Sequence, residues 1–243
     1  TERARKNLER EGITENIFIT GNTVIDALKM ALKMIKQDPA LEAKIRGLIM
    51  EKGYHITAGR RIILITGHRR ENFGEGFINI CQAIKTIAEN YPEIDLVYPV
   101  HLNPNVRKPA SEVLGKVSNV YLTDPLDYLP FVYLMKKSYI VLTDSGGIQE
   151  EAPSLGKPVI VMRDTTERPE AVEAGTVRLA GTSKHVIIKE ITDLIENKNH
   201  YQSMAKAHNP YGDGKAATRI AAELRRILYS KPKTNRNGTY NNL

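Results

Sequence analysis

From Arg61 onward, short apolar runs recur at residues 62–66, 96–100, 120–122, 139–143, 159–162 and 176–179. Runs of three to five residues dominated by Val, Ile and Leu read as strands buried on both faces. Helical stretches lie between and after them, at 77–90, 106–114, 128–137 and 183–196. This alternation predicts an α/β fold, a Rossmann-like doubly wound parallel sheet with right-handed crossovers. Ligands in such sheets bind at the carboxyl ends of the strands, which makes the loops that follow the strands the places to look for chemistry.

The first quarter of the chain follows a different pattern. A helix ends at Glu11-Gly12, with the glycine as its C-cap, and residues 17–20 read as a short strand. Asn22 or Thr23 caps a second helix whose Val24, Ile25, Leu28, Leu32 and Ile35 share a face, and a third helix covers 40–51. These elements precede the first core strand and read as a connector packed on the edge of something else. At the other end, a helix over 216–229 follows Asn209-Pro210-Tyr211-Gly212-Asp213-Gly214. Asp213 is its expected N-cap, and Ile220, Leu224, Ile227 and Leu228 need a partner surface.

Composition narrows the class. With 243 residues, 41% of them hydrophobic and 26% charged, the chain can bury one large core or two small ones. A single cysteine, Cys81, excludes an internal disulfide and fits a reducing cytosol. No apolar run approaches the roughly 20 residues of a membrane span, and the first residues lack a signal-peptide core, so the expectation is a cytoplasmic protein without a membrane partner. The net charge of +7 favours anionic ligands. Nucleic acid is not the expected one, because the basic residues are scattered among 28 acids and aromatics are only 6%. The basic, polar stretch 231–238 reads as disordered.

Four loops at strand ends carry the candidate chemistry. In Gly67-His68-Arg69-Arg70-Glu71-Asn72, the glycine permits close approach to a ligand, and His68 can contact phosphate or move a proton; a solvated charged loop is the plain alternative. Pro99-Val100-His101-Leu102-Asn103-Pro104-Asn105 is a rigid turn in which Asn103 or Asn105 caps the next helix and His101 reads as structural. In Asp144-Ser145-Gly146-Gly147-Ile148-Gln149-Glu150-Glu151, a strand turns directly into a helix. That geometry presents free backbone N–H groups at a positive helix end, suited to a phosphate or diphosphate. Glu150 and Glu151 either take sugar hydroxyls or complement the helix dipole, and the pair is expected to differ in burial. In Arg163-Asp164-Thr165-Thr166-Glu167-Arg168-Pro169-Glu170, Arg163 or Arg168 can neutralise a diphosphate, the alternative being a loop of internal salt bridges. Spacings for a metal site, a Walker A loop and a Gly-x-Gly-x-x-Gly fingerprint are absent from the sequence, so neither metal nor cofactor is expected.

Together with Thr20-Gly21-Asn22-Thr23-Val24-Ile25-Asp26-Ala27, these motifs closely resemble those of the non-hydrolysing UDP-N-acetylglucosamine 2-epimerases, in the same order and over about residues 1–229. The resemblance implies a glycosyltransferase-B-like fold of two Rossmann-like domains, of which this chain is the C-terminal, UDP-binding half. It implies conversion of UDP-N-acetylglucosamine to UDP-N-acetylmannosamine through loss and return of UDP by way of a 2-acetamidoglucal, in service of cell-surface polysaccharide synthesis. By motif matching, His68 is a catalytic-site residue near the diphosphate. Ser145, Gly146 and Gly147 hold the diphosphate, Arg168 a phosphate, Glu151 the ribose hydroxyls, and Phe131 flanks the uracil. Arg69 and His101 match positions that contact a second, activating UDP-N-acetylglucosamine in some members.

The implied layout is connector helices and an edge strand over 1–58, the UDP-binding domain over 59–208, a crossover helix over 209–230 and a disordered tail over 231–243. The family's N-terminal domain, which carries the acids for proton transfer, has no counterpart in these motifs. The chain is therefore expected to be a fragment or a split-gene product that binds UDP weakly alone and does not epimerise, with a homodimer expected for the whole enzyme. The competing readings are a stand-alone UDP-sugar binding module, a hydrolysing epimerase and a glycosyltransferase of the same architecture.

Overall fold

The computed structural model describes residues 1–229; the tail expected over 231–243 lies outside the described residues. Helices α1 (Glu2–Arg10), α2 (Thr23–Gln37) and α3 (Pro39–Glu51) come first, followed by β1 (Arg61–Thr66), α4 (Glu75–Asn90), β2 (Ile94–Pro99), α5 (Pro104–Leu114), β3 (Val120–Thr123) and α6 (Tyr128–Lys137). The chain continues through β4 (Ile140–Thr143), α7 (Gly146–Glu151), β5 (Val159–Val161), α8 (Pro169–Glu173), β6 (Val177–Leu179), α9 (Lys184–Glu196), α10 (Lys198–Lys206) and α11 (Ala216–Tyr229).

The six strands form one sheet in the order β3-β2-β1-β4-β5-β6, every neighbour parallel. The chain winds outward from β1 through β2 to β3, then returns to the other side of β1 at β4. The β1/β4 boundary is therefore the switch point of the winding, where loops diverge and a crevice opens at the carboxyl edge.

Alternate residues feed two cores. Ile63, Ile65, Leu96, Tyr98, Ile140 and Leu142 pack under α4, α5, α9 and α10. Ile62, Leu64, Val97, Val141, Val159 and Val161 pack under α2, α3, α6 and α7. A strand covered on both faces has no polar side to show, which is why the runs are continuously apolar.

Two of the helices expected as a connector, α2 and α3, thus help cover one face of the sheet, while α1 buries no residue. Ile25, Leu28, Ile35, Ile45 and Ile49 are all buried in the second core, each burial contributing roughly 1.5–3 kcal/mol. Asn22 is the cap of α2, its side chain accepting the Val24 N–H at 3.2 Å.

Two expectations fail. Residues 17–20 are not a strand: Phe18 and Ile19 stay exposed, and the sheet's edges are β3 and β6. Asp213 does not cap the first turn of α11. It accepts the Lys215 N–H at 3.1 Å and pairs with Arg219, while the Ala216 and Ala217 N–H groups donate to the buried Asp26 of α2 at 3.1 and 3.0 Å. That clasp depends on two facing glycines. Gly21 has φ +86°, and a Cβ on it would lie 3.3 Å from Gly212 Cα. Helices α8 and α10 were not anticipated; α8 has five residues, too few for a visible period, and α10 buries only Met204. The apolar face of α11 remains open, with Leu224 and Leu228 exposed.

Candidate functional site

The site forms where the loops after β1, β2, β4 and β5 meet. Gly67 leaves β1 under the phenol of Tyr98, whose O–H donates to the Gly67 carbonyl at 2.7 Å; a Cβ on Gly67 would sit 3.1 Å from that oxygen. The backbone N–H groups of His68 and Arg69 donate to Asp144 Oδ2 at 2.8 and 2.7 Å. Asn72 adds a longer contact to the same oxygen at 3.4 Å and donates to the Met162 carbonyl at 3.1 Å. One buried carboxylate at the end of β4 thereby ties the β1 loop to its own, and Asn72 extends the tie to the end of β5. The half-exposed His68 ring stacks on His101, centroids 5.5 Å apart and planes 17° off parallel. The backbone N–H of Asn103 donates into His101 Nδ1 at 3.1 Å, and Asn103 caps α5.

The turn from β4 into α7 has the geometry expected for an anion site. Ser145 stands at the N-cap with an extended backbone, its N–H donating to Thr143 Oγ1 at 2.9 Å and its own hydroxyl making no capping bond. The first amides of a helix lack intrahelical acceptors and carry partial positive charge. Two guanidinium groups flank them: a Cβ on Gly146 would lie 3.9 Å from both Arg69 Nη2 and Arg168 Cζ. No carboxylate among the described residues pairs with Arg69.

Only one of the two arginines of the β5 loop faces this turn. Arg163 is buried and fully engaged: its Nε donates to Glu71, and Nη1 and Nη2 donate to Glu167 at 2.6 and 2.9 Å. Those hydrogen bonds hold the Glu167 carboxyl down at about 2. Arg163 is a staple between loops and is not available to a diphosphate. Arg168 is about one-third exposed and is aimed by Glu150, which accepts from Arg168 Nε and from Asn22 Nδ2.

Glu150 and Glu151 are both buried, against the expected contrast, and differ in their partners instead. Glu151 accepts from the Tyr128 phenol at 3.3 Å. Burial pushes its carboxyl above the usual range, the Tyr128 hydrogen bond opposes this and the Glu150 charge adds to it. The Tyr128 phenol is itself pushed up to about 12, mainly by burial.

A cleft of about 240 Å³ runs from this turn towards α6, lined by Gly67, His68, His101, Leu126, Phe131 and Ser145. A larger hollow of about 460 Å³ opens beside Arg168, between α1 and the clasp at Gly21 and Tyr211. The structure thus brings His68, Arg69, His101, Phe131, Ser145, Gly146, Gly147, Glu151 and Arg168 to the carboxyl edge of the sheet around β1 and β4. Asp144 and Tyr128 escaped the sequence reading as contributors, and Glu150 was read for sugar hydroxyls or the helix dipole rather than as the partner that aims Arg168. An acid standing directly after an apolar strand was the available signal for Asp144, because a buried carboxylate there requires donors. Among the described residues, no group of three His, Cys, Asp or Glu side chains is placed to hold a metal ion, and no helix is long and apolar enough to cross a membrane.

A family profile described as UDP-N-acetylglucosamine 2-epimerase matches residues 1–225. A UDP-N-acetylglucosamine 2-epimerase of Campylobacter jejuni is 58% identical over 221 residues, 90% of this chain and 57% of that protein. The crystal structure of UDP-GlcNAc 2-epimerase from Neisseria meningitidis bound to UDP-GlcNAc superposes with a TM-score of 0.87 at 51% identity, covering 93% of this chain and 60% of the other. The S. aureus MnaA structure with UDP gives 0.83 at 43% identity, over 94% and 59%. The chain therefore spans less than two thirds of these relatives' own length. Its sheet is the Rossmann-like part of a glycosyltransferase-B-like fold.

Proposed function

The chain belongs to the UDP-N-acetylglucosamine 2-epimerase family, and from that premise we propose that its strand-end site holds the UDP part of UDP-N-acetylglucosamine during conversion to UDP-N-acetylmannosamine. The observation that carries this reading is the pair of guanidinium groups, Arg69 and Arg168, beside the Gly146 turn. Two positive groups and a set of unpaired helix amides on one spot match a diphosphate in charge and in hydrogen-bond sense.

In this reading the backbone of Ser145, Gly146 and Gly147 and the side chain of Arg168 take the diphosphate, and Phe131 covers the uracil in the 240 Å³ cleft. Glu151 accepts from the ribose hydroxyls, and His68 stands at the diphosphate. The C2 proton is lost as the C1–O bond to UDP breaks, leaving a 2-acetamidoglucal with a C1–C2 double bond; UDP then returns to C1 and a proton to the opposite face of C2. The groups that move the C2 proton belong to the part of the relatives that this chain does not match. Arg69 and His101 lie at the same mouth, where a second UDP-N-acetylglucosamine would contact them, and the whole enzyme pairs as a homodimer.

Calorimetric titration of the 243-residue chain with UDP, together with product analysis after incubation with UDP-N-acetylglucosamine, tests this. The expected outcome is weak UDP binding and no turnover. Absence of UDP binding at millimolar ligand overturns the site, and substantial epimerisation by the chain alone overturns the division of labour. Free N-acetylmannosamine with UDP as products points to the hydrolysing reaction instead. Burial raises the Glu151 carboxyl, and hydroxyl donors favour its ionised form, so UDP affinity should fall with decreasing pH at values where an ordinary glutamate is still ionised.

A further inference from the structure

Asp144 has more to offer than its loop contacts use. It is 1% exposed, and its Oδ2 alone accepts the His68 and Arg69 N–H groups. Its Oδ1 is buried with no hydrogen-bond partner among the described residues. The nearest charged or chargeable partner to this oxygen is His68 Nδ1, at 3.6 Å. That is too long for a hydrogen bond, but the His68 side chain is 45% exposed and free to turn, and a modest rotation of the ring closes the gap. A neutral asparagine could staple the loop through one oxygen without burying a charge. The second, unpaired oxygen beneath an imidazole is what a staple does not explain.

We propose that Asp144 is the positioning residue of His68, accepting its Nδ1 proton and so leaving Nε2 as the ring atom that meets the ligand. With Nδ1–H held in both charge states, Nε2 is an acceptor when the ring is neutral and a donor when it is protonated. The neighbouring ring supplies a contrast. His101 Nδ1 is occupied by the Asn103 N–H, so neutral His101 carries its hydrogen on Nε2. Two stacked imidazoles are thereby set in opposite tautomers by two different partners. The proposal rests on His68 being a site residue, but the tautomer is a property of the free chain.

Long-range proton–nitrogen correlation spectra of the chain with labelled histidine, recorded where the rings are neutral, read both tautomers directly. Spectra of His68→Gln and His101→Gln identify the two signals among the six histidines. The expected result is Nδ1–H for His68 and Nε2–H for His101. In Asp144→Asn the amide N–H₂ turns towards the ring, and His68 should switch to Nε2–H while His101 stays unchanged. Wild-type His68 in the Nε2–H form, the ordinary one for a solvated histidine, overturns the proposal without any variant, so a poorly folded Asp144→Asn does not block the test. An unchanged His68 tautomer in a folded Asp144→Asn chain overturns it as well and leaves Asp144 a loop staple. Neither reading involves UDP; failure of UDP binding with the tautomers as expected counts against the proposed function alone.

Discussion

Arg163 and Arg168 lie five residues apart in one loop, and the two halves of the carboxyl edge that they occupy work in opposite ways. Around Arg163 every charge is spent: a side chain 5% exposed bridges Glu71 and Glu167 and locks the β1 and β5 loops together. Around Arg168 the charges are only partly spent. Glu150 holds one edge of the guanidinium, no carboxylate among the described residues lies within ion-pair distance of Arg69, whose charge reaches Glu167 only at longer range, and the first amides of α7 have no intrahelical acceptor. The first half holds the loops together, and the second is the surface proposed to take the diphosphate. Charge density alone does not separate them; the burial of the guanidinium itself and the number of carboxylates it engages do.

The sharpest way to break this contrast is Arg163→Met. Its two glutamates lose their shared partner, and a cost of about 3 kcal/mol is expected, near the low end for a buried pair because both acids are half-exposed. Thermal unfolding should show a drop of about 5–10 °C for a chain of this length. Because Glu167 is held at about 2, the stability it contributes is present above the ordinary glutamate range and lost as pH falls towards 2. The gap between wild type and variant should narrow between pH 5 and 3; a constant gap would show that the ion pairs are not its source.

Arg168→Met should lower UDP affinity about 10- to 100-fold, the loss of a charge-assisted hydrogen bond of about 1.5–3 kcal/mol. It should also cost some stability, since Glu150 stays buried with Asn22 as a remaining donor. Arg69→Met separates the two effects more cleanly. UDP affinity should fall about 10-fold with an unchanged melting temperature, and an unchanged affinity would assign Arg69 to the second ligand position.

The smallest effect concerns a partly buried cation, Lys157, with no acid in ion-pair reach among the described residues. Burial, with the Lys136 charge adding to it, pulls Lys157 down to about 8. The folded state therefore disfavours its charge at every pH below about 8 and is indifferent above the ordinary lysine value. Lys157→Met should raise the melting temperature modestly at pH 7, and the gain should shrink as pH rises from 8 to about 10.5. A gain that persists at high pH would mean that packing, not charge, is responsible.

Much of the fold was legible in the sequence. The strands are continuous apolar runs because both faces are covered, so their positions follow from the pattern, whereas their order in the sheet came from the structure. The Ser145-Gly146-Gly147 turn was legible as a strand-to-helix turn with amides at a helix start, because that geometry needs no distant partner. The run at 17–20 misled, because apolar residues make a strand only where a sheet edge can pair them. One cap misled as well, although Asn22 and Asn103 cap their helices as read: Asp213, close in sequence, was displaced at the first amides of α11 by Asp26, 190 residues away.

The amino-acid order therefore determined what is local or periodic: the helices, the alternation that sorts each strand between two cores, and the glycine turn that offers amides to an anion. The tertiary structure decided which charges are free. Arg163 and Arg168 are the same residue type in the same loop, and Glu71 and Glu150, brought to them from 92 and 18 residues away, divide staple from ligand-facing group. Asp144 became a hub only when the β1 loop folded over it, 76 residues removed from His68. Burial and pairing are relations between distant segments, and the energy of a charge depends on those relations far more than on its neighbours in the chain.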